Sequence, residues 1–189
     1  MSATSEHNKD TEKNILSQLR NSQSFERGFS LLVHEYKERL YWHIRNMVQN
    51  HDDADEVLQN TFIKVFKGFK NFRGDAKLYT WLYRIASNES ITFLNKRKKQ
   101  ATIDIDNEDI GLLHVLKADS YFDSEKATLL LNKALEILPT KQKQVFVMRY
   151  FDQLAYKDIS AVLETSIGGL KASYHHAVKK IEVFVKENV

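Results

Sequence analysis

The sequence contains no cysteine, a single proline and only six glycines among its 189 residues. The absence of cysteine excludes disulfides and thiolate-bound zinc or iron–sulfur sites, and it fits a reducing compartment. The scarcity of proline and glycine argues against an all-β chain, which needs such residues at many tight turns. No run of about 18 apolar residues is present, so neither a membrane span nor a secretion signal is expected. We therefore expect an all-α protein in the cytoplasm.

Charge is unevenly distributed along the chain, although the formal net charge is only +3. Basic residues outnumber acidic ones before residue 100 and after residue 127, whereas acidic residues predominate between 101 and 126. Because that acidic segment also lacks helical periodicity, we predict a solvated linker over 99–126, with a possible short helix over 110–116. Two small helical domains, over 22–98 and 127–187, are predicted on either side of the linker.

The first domain has the apolar spacing of long amphipathic helices. A stripe with steps of three and four residues comprises Phe25, Phe29, Leu32, Tyr36 and Leu40. This stripe predicts a helix over 25–48. Asp52 or Asp53 is then expected to cap a second helix that ends near Phe69, and a third helix is predicted over 78–97.

The second domain ends in two helices joined by a turn that contains glycine. The first helix is predicted over 156–164, the turn over 165–169 and the second helix from there to about Lys186, which is the layout of a helix-turn-helix. At about 100° per residue, the second helix has an inward face comprising Leu170, Tyr174, Ala177 and Ile181. Its opposite face is basic and could enter a major groove of DNA. An αα-hairpin with a solvated basic face is the alternative.

The second helix of the first domain has apolar residues on two faces. Its predicted core face comprises Ala54, Leu58, Thr61, Val65 and Phe69. The same geometry places Gln59, Ile63 and Phe66 on the opposite side. An outward apolar stripe at helical spacing indicates a surface for a partner, unless residues 1–20 cover it.

The segment 71–88 is rich in aromatic residues interleaved with Arg73, Lys77 and Arg84. This composition suits single-stranded nucleic acid, because unpaired bases stack on aromatic rings while basic groups follow the phosphates. A loop is expected over 71–77. Four residues of the following helix share a core face, namely Leu78, Trp81, Leu82 and Ile85. Four others lie on the opposite side and are expected to be freer to bind, namely Tyr83, Arg84, Ser87 and Asn88.

Two motif blocks in this order resemble the extracytoplasmic-function sigma factors, small bacterial transcription-initiation subunits of RNA polymerase. The first block is DADEVLQNTFIKVFKGFKNFRGDAKLYTWLYRIASNESI, and the second is LPTKQKQVFVMRYFDQLAYKDIS with the helix-turn-helix that follows. The resemblance implies a non-catalytic protein without a cofactor that binds core RNA polymerase and promoter DNA, both duplex and locally melted. It also implies an anti-sigma factor as a partner.

The resemblance further implies roles for individual residues. Binding to a coiled coil of the largest polymerase subunit is implied for Asp55, Gln59, Asn60, Ile63 and Phe66. Melting and reading of the minus-ten promoter element are implied for Phe72, Arg73, Gly74, Tyr79, Arg84 and Asn88. Reading of the minus-thirty-five element as duplex is implied for Arg149, Lys171, Ala172, Ser173, His175, His176 and Lys179. The acidic linker replaces the third domain of primary sigma factors, and in the family such a linker runs toward the RNA exit path.

The recognition helix departs from the family pattern, because lysine and histidine stand where many members have arginine. Bidentate readout of guanine is therefore weakened, and the promoter sequence does not transfer from better-known members. An operator-binding regulator that acts without polymerase is the alternative function. An enzyme is not expected, because the carboxylates of 52–56 radiate from a helix start and do not converge on one metal ion. His175 and His176 likewise lack the i, i+4 spacing of zinc-binding helices, so no metal site is expected.

Overall fold

The computed structural model describes residues 3–105 and 126–188, with side chains described over 10–100 and 130–188. The described residues form helices and short connections without a strand, which confirms the all-α prediction. The helices are α1 (Ala3–Arg20), α2 (Phe25–Val48), α3 (His51–Gly68), α4 (Leu78–Ile105), α5 (Lys126–Glu136), α6 (Thr140–Phe146), α7 (Tyr156–Leu163) and α8 (Ile167–Asn188). None of these helices is long and apolar enough to cross a membrane. The short helix predicted over 110–116 lies outside the described residues.

Helices α2, α3 and α4 form the first domain and pack against one another. The core face predicted for α3 is confirmed, because Ala54, Thr61 and Val65 are fully buried and Leu58 and Phe69 nearly so. Helix α4 continues to Ile105, eight residues beyond the predicted end. Burial of one apolar stripe on each helix therefore accounts for this three-helix unit.

The N-terminal cap of α3 differs from the prediction. Asn50, not Asp52 or Asp53, is the cap: it has an extended backbone, and its side-chain oxygen accepts the Asp53 N–H at 3.0 Å. Asp52 and Asp53 lie inside the first turn, where their negative charge meets the positive end of the helix dipole. The Asp53 carboxylate instead accepts a hydrogen bond from Arg97 of α4 at 2.7 Å.

Helix α1, which the apolar pattern did not predict, lies along α2. The two helices are closest at Gly28, where an added Cβ would lie 2.8 Å from the Leu19 backbone nitrogen. Only glycine permits this approach. On its other side, α1 reaches the start of α4, where the Glu12 carboxylate accepts the backbone N–H of Leu78 at 2.8 Å. Helix α1 therefore supplies a hydrogen-bond partner that the first residue of α4 would otherwise lack.

Helices α5 to α8 form the second domain, and a π-helical segment, Val147–Phe151, continues α6. Four buried residues bring α5, α6 and α8 together: Leu135, Leu138, Phe146 and Ala177. After the π-helical segment, Arg149 donates to the carbonyl oxygen of Leu154 at 2.9 Å. Its guanidinium also lies over the Tyr156 ring at 5.1 Å, so Arg149 fixes the connection to α7.

The two domains share one continuous cluster of buried apolar side chains. Leu40 and Leu82 of the first domain belong to it, as do Met148 and Ile159 of the second. Helix α2 contacts the π-helical segment, and α4 contacts α7. The second domain therefore packs directly on the first in this structure.

Lys143 of α6 is a buried amine in the second domain. Burial lowers its pKa to about 8, and the nearby Glu136 carboxylate opposes this only in part. The charged form is therefore held in an unfavourable environment at neutral pH.

We predict that Glu12→Ala lowers the free energy of unfolding by about 1 kcal/mol, because the Leu78 N–H then loses its acceptor. Glu12→Gln is the matched control, since its amide oxygen can still accept this hydrogen bond. Urea denaturation of the three proteins measures the effect. Equal stability of the alanine variant and the wild type would contradict the role of Glu12.

We predict that Lys143→Met raises stability at pH 7 by about 1–3 kcal/mol, because a buried charge is replaced by an apolar chain of similar length. Folding lowers the pKa of Lys143 from 10.5 to about 8, so the buried charge destabilises the folded wild type to its full extent below pH 8. As the pH rises from 8 to 10.5, the buried lysine loses its proton in the folded wild type. The stability advantage of the methionine variant therefore shrinks. Thermal melts from pH 7 to 10 test this, with the exposed Lys141→Met as control. A stability gain of Lys143→Met that stays the same from pH 7 to 10 would contradict this role of the buried charge.

Candidate polymerase and nucleic-acid interfaces

The outward face of α3 is exposed as predicted. The side chain of Ile63 is 50% exposed and that of Phe66 is 47% exposed. The Phe66 ring packs edge-on against the rings of Phe25 and Phe29, with centroid distances of 5.3 and 5.0 Å. Helix α1 lies against α2 and leaves this face open. The result is an apolar surface held rigid by aromatic contacts beneath it.

Polar residues border this surface along the same helix. Gln59 and Asn60 are exposed. Asp55 is half-exposed and lies 3.7 Å from the His51 ring nitrogen. A partner helix could therefore bury the apolar centre while polar groups remain at the rim, as in many protein interfaces.

The loop between α3 and α4 has a defined shape. Phe72 is half-buried and packs against the rings of Phe69 and Trp81, with centroid distances of 5.8 and 5.0 Å. Gly74 has a φ of +85°, a conformation that side chains rarely adopt. Arg73 and Gly74 are exposed at the tip. The aromatic anchor at Phe72 thus presents Arg73 to solvent in a fixed position.

The prediction that Tyr83 and Ser87 are free to bind was wrong. Tyr83 is 6% exposed and Ser87 is 1% exposed, because the second domain packs on this side of α4. Arg84 is paired with Glu164 at 2.8 Å, and only Asn88 of the four is exposed. Tyr83 and Ser87 also contact His43 of α2, so they belong to the buried core and not to the free face that helical geometry predicted. Helical geometry could not predict that another domain covers them.

A buried histidine, which the sequence did not single out, lies at the centre of this contact. His43 of α2 is fully buried, and its Nδ1 lies 2.6 Å from the Asp152 carboxylate. Its Nε2 lies 2.9 Å from the Ser87 hydroxyl oxygen. The order Asp–His–Ser matches a hydrolase triad, but all three groups are closed off from solvent and serve packing.

The helix-turn-helix is formed by α7 and α8, as predicted, but its turn differs. Glu164 occupies the left-handed region with a φ of +50°, and α8 begins at Ile167. Gly168 and Gly169 therefore lie inside the first turn of α8 and not in the connection. The Gly169 N–H donates to the Ser166 hydroxyl at 3.2 Å, which caps this helix.

The two faces of α8 are confirmed. Leu170 and Ala177 are fully buried, and Tyr174 and Ile181 are half-buried against the same clusters. The outward residues are exposed except for the half-buried Ser173, namely Lys171, Ala172, His175, His176 and Lys179. The Lys171 amine lies 6.0 Å from the centroid of the Tyr156 ring, and the Arg149 guanidinium lies over the same ring at 5.1 Å. Two cationic side chains therefore lie close to one aromatic ring on this side of the second domain.

Comparison with known proteins identifies both halves of the chain. Residues 32–100 match the family model described as Sigma-70 region 2, and residues 128–181 match Sigma-70, region 4. The chain is 29% identical over 164 residues to the RNA polymerase sigma-H factor of Pseudomonas aeruginosa, across 82% of this chain and 85% of the relative. It is 28% identical over 165 residues to the ECF RNA polymerase sigma-E factor of Escherichia coli, across 83% and 86%.

The chain belongs to the extracytoplasmic-function sigma factors. It is an RNA polymerase sigma factor that binds core polymerase and directs promoter-specific initiation of transcription. Two sigma regions in order favour this function over an operator-binding regulator that acts without polymerase.

Solved structures show the same fold. A sigma factor RpoE in complex with the anti-sigma factor NepR from Bartonella quintana aligns with a TM-score of 0.65 at 22% identity, over 84% of this chain and 96% of that one. CnrH in complex with the cytosolic domain of CnrY aligns with a TM-score of 0.67 at 20% identity, over 95% and 99%. The all-helical fold of the sigma factor is therefore shared with both structures.

Proposed function

We propose that the outward face of α3 is the surface through which this sigma factor binds a coiled coil of the largest polymerase subunit. The residues assigned to it are Asp55, Gln59, Asn60, Ile63 and Phe66. The observation that carries the proposal is the half-exposure of two large apolar side chains, Ile63 and Phe66, on one helical face. Burial of such side chains under a partner stabilises a complex by about 25 cal/mol per Å² before the costs of association.

The loop after α3 and the start of α4 are proposed to melt and read the minus-ten element. Phe72, Arg73, Gly74, Tyr79, Arg84 and Asn88 are assigned to it. The anchored loop supports this, because a flipped base is read by stacking and hydrogen bonds, and the packed Phe72 ring gives this loop a defined shape. Stacking of about 1–3 kcal/mol per base can offset the cost of flipping. Arg73 at the tip is placed to contact the phosphates beside a flipped base.

The outward face of α8 is proposed to read the minus-thirty-five element in the major groove of duplex DNA. Lys171, Ala172, Ser173, His175, His176 and Lys179 are assigned to this reading, with Arg149 reaching the DNA from the preceding segment. The exposure of these side chains supports the proposal. Arg149 uses one donor to hold Leu154, and the guanidinium keeps further N–H donors for phosphate.

Three further properties are proposed from the family relationship. The chain works in the cytoplasm, has no catalytic activity of its own and is held inactive by an anti-sigma factor. The sigma factor RpoE from Bartonella quintana was solved in complex with the anti-sigma factor NepR, which supports the last point. The acidic linker over 99–126 and the limits of both domains stay predictions.

We predict that Ile63→Asp abolishes binding to core polymerase, because a charge then replaces the apolar centre of the interface. The fold should be unaffected, since the side chain already lies half in solvent. Pull-down of core polymerase and circular dichroism measure the two effects. Leu31→Asp on α2 is the matched control, because Leu31 is, like Ile63, an exposed aliphatic residue of the first domain. A folded Ile63→Asp protein that still retains core polymerase would falsify the assignment.

We predict that Lys171→Ala and Lys179→Ala each weaken binding to promoter duplex and lower the salt slope by about one. His175→Ala is expected to change the preferred base sequence more than the salt slope, because it contacts base edges. Fluorescence anisotropy over a range of salt concentrations measures both, on a duplex chosen by mapping transcription start sites with core polymerase. Lys141→Ala, an exposed lysine of α6, is the control. An equal loss with this control would show that only the total charge matters.

A further inference from the structure

Helix α1 places a cation at the tip of the loop that precedes α4. Arg20 is the last residue of α1, and its side chain is exposed. A Cβ added to Gly74 would lie 3.2 Å from Arg20 Nη2, so the guanidinium lies against the backbone of the loop. Arg73, which is assigned above to the minus-ten element, is the neighbour of Gly74 in the chain. Arginines from two separate segments therefore lie at one loop tip.

The position of Arg20 is fixed by the packing of the residues around it. Leu19 is 3% exposed, and its backbone lies against Gly28 where α1 comes closest to α2. The turn between the two helices is closed by the Ser24 hydroxyl, which donates to the Gln18 carbonyl oxygen at 3.0 Å. The end of α1 is therefore held firmly on the first domain, and only the side chain of Arg20 projects toward the loop.

The positive charge at this tip is not neutralised by the protein. Within residues 10–100 and 130–188, whose side chains are described, no carboxylate forms an ion pair with Arg20 or Arg73. Arg84, in contrast, pairs with Glu164 at 2.8 Å. A guanidinium matches the oxygens of a phosphate with two parallel N–H groups, and an anion between like charges relieves their repulsion. The tip is therefore suited to a phosphodiester.

Arg20 also has a role that needs no ligand, because a cation in the last turn of a helix interacts favourably with the helix dipole. That role requires only that the charge lie near the end of α1. It does not require contact with a loop from a distant part of the chain. The contact with Gly74 is therefore the observation that points to a second role.

We propose that Arg20 is a further contact for promoter DNA and that its guanidinium binds a backbone phosphate of the melted strand beside Arg73. Helix α1 is then part of the minus-ten site. The strand passes over Gly74, where the lack of a side chain leaves both guanidinium groups accessible. The proposal rests on the minus-ten role of the loop given above.

A phosphate contact has a measurable signature in the salt dependence of binding. Each phosphate of a single strand that a cation neutralises contributes about 0.7 to the slope of log K against log salt concentration. Such a contact is independent of the base sequence. A lysine at position 20 would keep the charge and therefore the slope, but it would lose the two parallel N–H groups of the guanidinium.

The test uses holoenzyme assembled from core polymerase and the full-length sigma factor. The probe is a fluorescein-labelled single strand that carries the non-template minus-ten sequence of a promoter located by start-site mapping. Anisotropy measures its binding over a range of salt concentrations. We expect Arg20→Gln to bind the probe about fivefold more weakly at low salt, with a slope lower by about 0.7. Arg20→Lys should keep the slope of the wild type and bind more tightly than Arg20→Gln.

The matched control is Lys37→Gln, which removes one positive charge from an exposed position on α2. Lys37 lies about 13 Å along that helix from Gly28, so it is well away from the loop tip. This variant should bind the probe within twofold of the wild type, with the same slope. An unchanged slope in Arg20→Gln overturns the proposal. An equal loss in Lys37→Gln overturns it too, because only the total charge then matters.

Arg73→Gln separates this proposal from the assignment of the minus-ten surface. We expect Arg73→Gln to weaken binding as well, because both arginines contact the same strand. If only Arg73→Gln weakens binding, the minus-ten assignment stands and the role of Arg20 fails. If neither variant does, the minus-ten assignment fails and the role of Arg20 fails with it. If only Arg20→Gln does, the strand does not cross the loop tip, which also overturns the proposal.

Discussion

The contact between His43 and Asp152 is the constraint on which the arrangement of this sigma factor depends. Its side chains are 0% and 5% exposed, so this polar contact is removed from water. A polar pair in such a place is costly to form and costlier to break, so it specifies one docking position more than it adds stability. It aligns the π-helical segment on α2, and with that alignment α7 comes to lie along α4.

The three faces to which we assign functions differ in physical character. The face of α3 is apolar with a polar rim, which suits a protein helix. The loop at Arg73 is aromatic and basic, which suits melted DNA. The outward face of α8 is basic and flat, which suits the major groove. The second domain covers the side of α4 next to the loop and leaves the α3 face and the outward face of α8 exposed.

Sequence periodicity predicted those parts of the fold that depend on a single helix. The core face of α3, its exposed Ile63 and the two faces of α8 follow from a rotation of 100° per residue. Contacts between elements could not be predicted in this way. Glu12 caps a helix 66 residues further along the chain, and His43 meets Asp152 at a separation of 109 residues. Tyr83 and Ser87 of α4 were therefore wrongly expected to be free, because they pack against His43, whereas Asn88 is exposed as expected.

The packing of the second domain on the first, centred on the contact between His43 and Asp152, should hold in the free sigma factor. Since the chain has no cysteine, spin labels can be attached at Lys37→Cys and Glu182→Cys alone, both exposed positions. Double electron–electron resonance then measures the distance between the domains. We predict one short, narrow distribution for the wild-type labelled protein and a longer, broader one for the same protein carrying His43→Ala. The same distribution in both proteins would contradict the account.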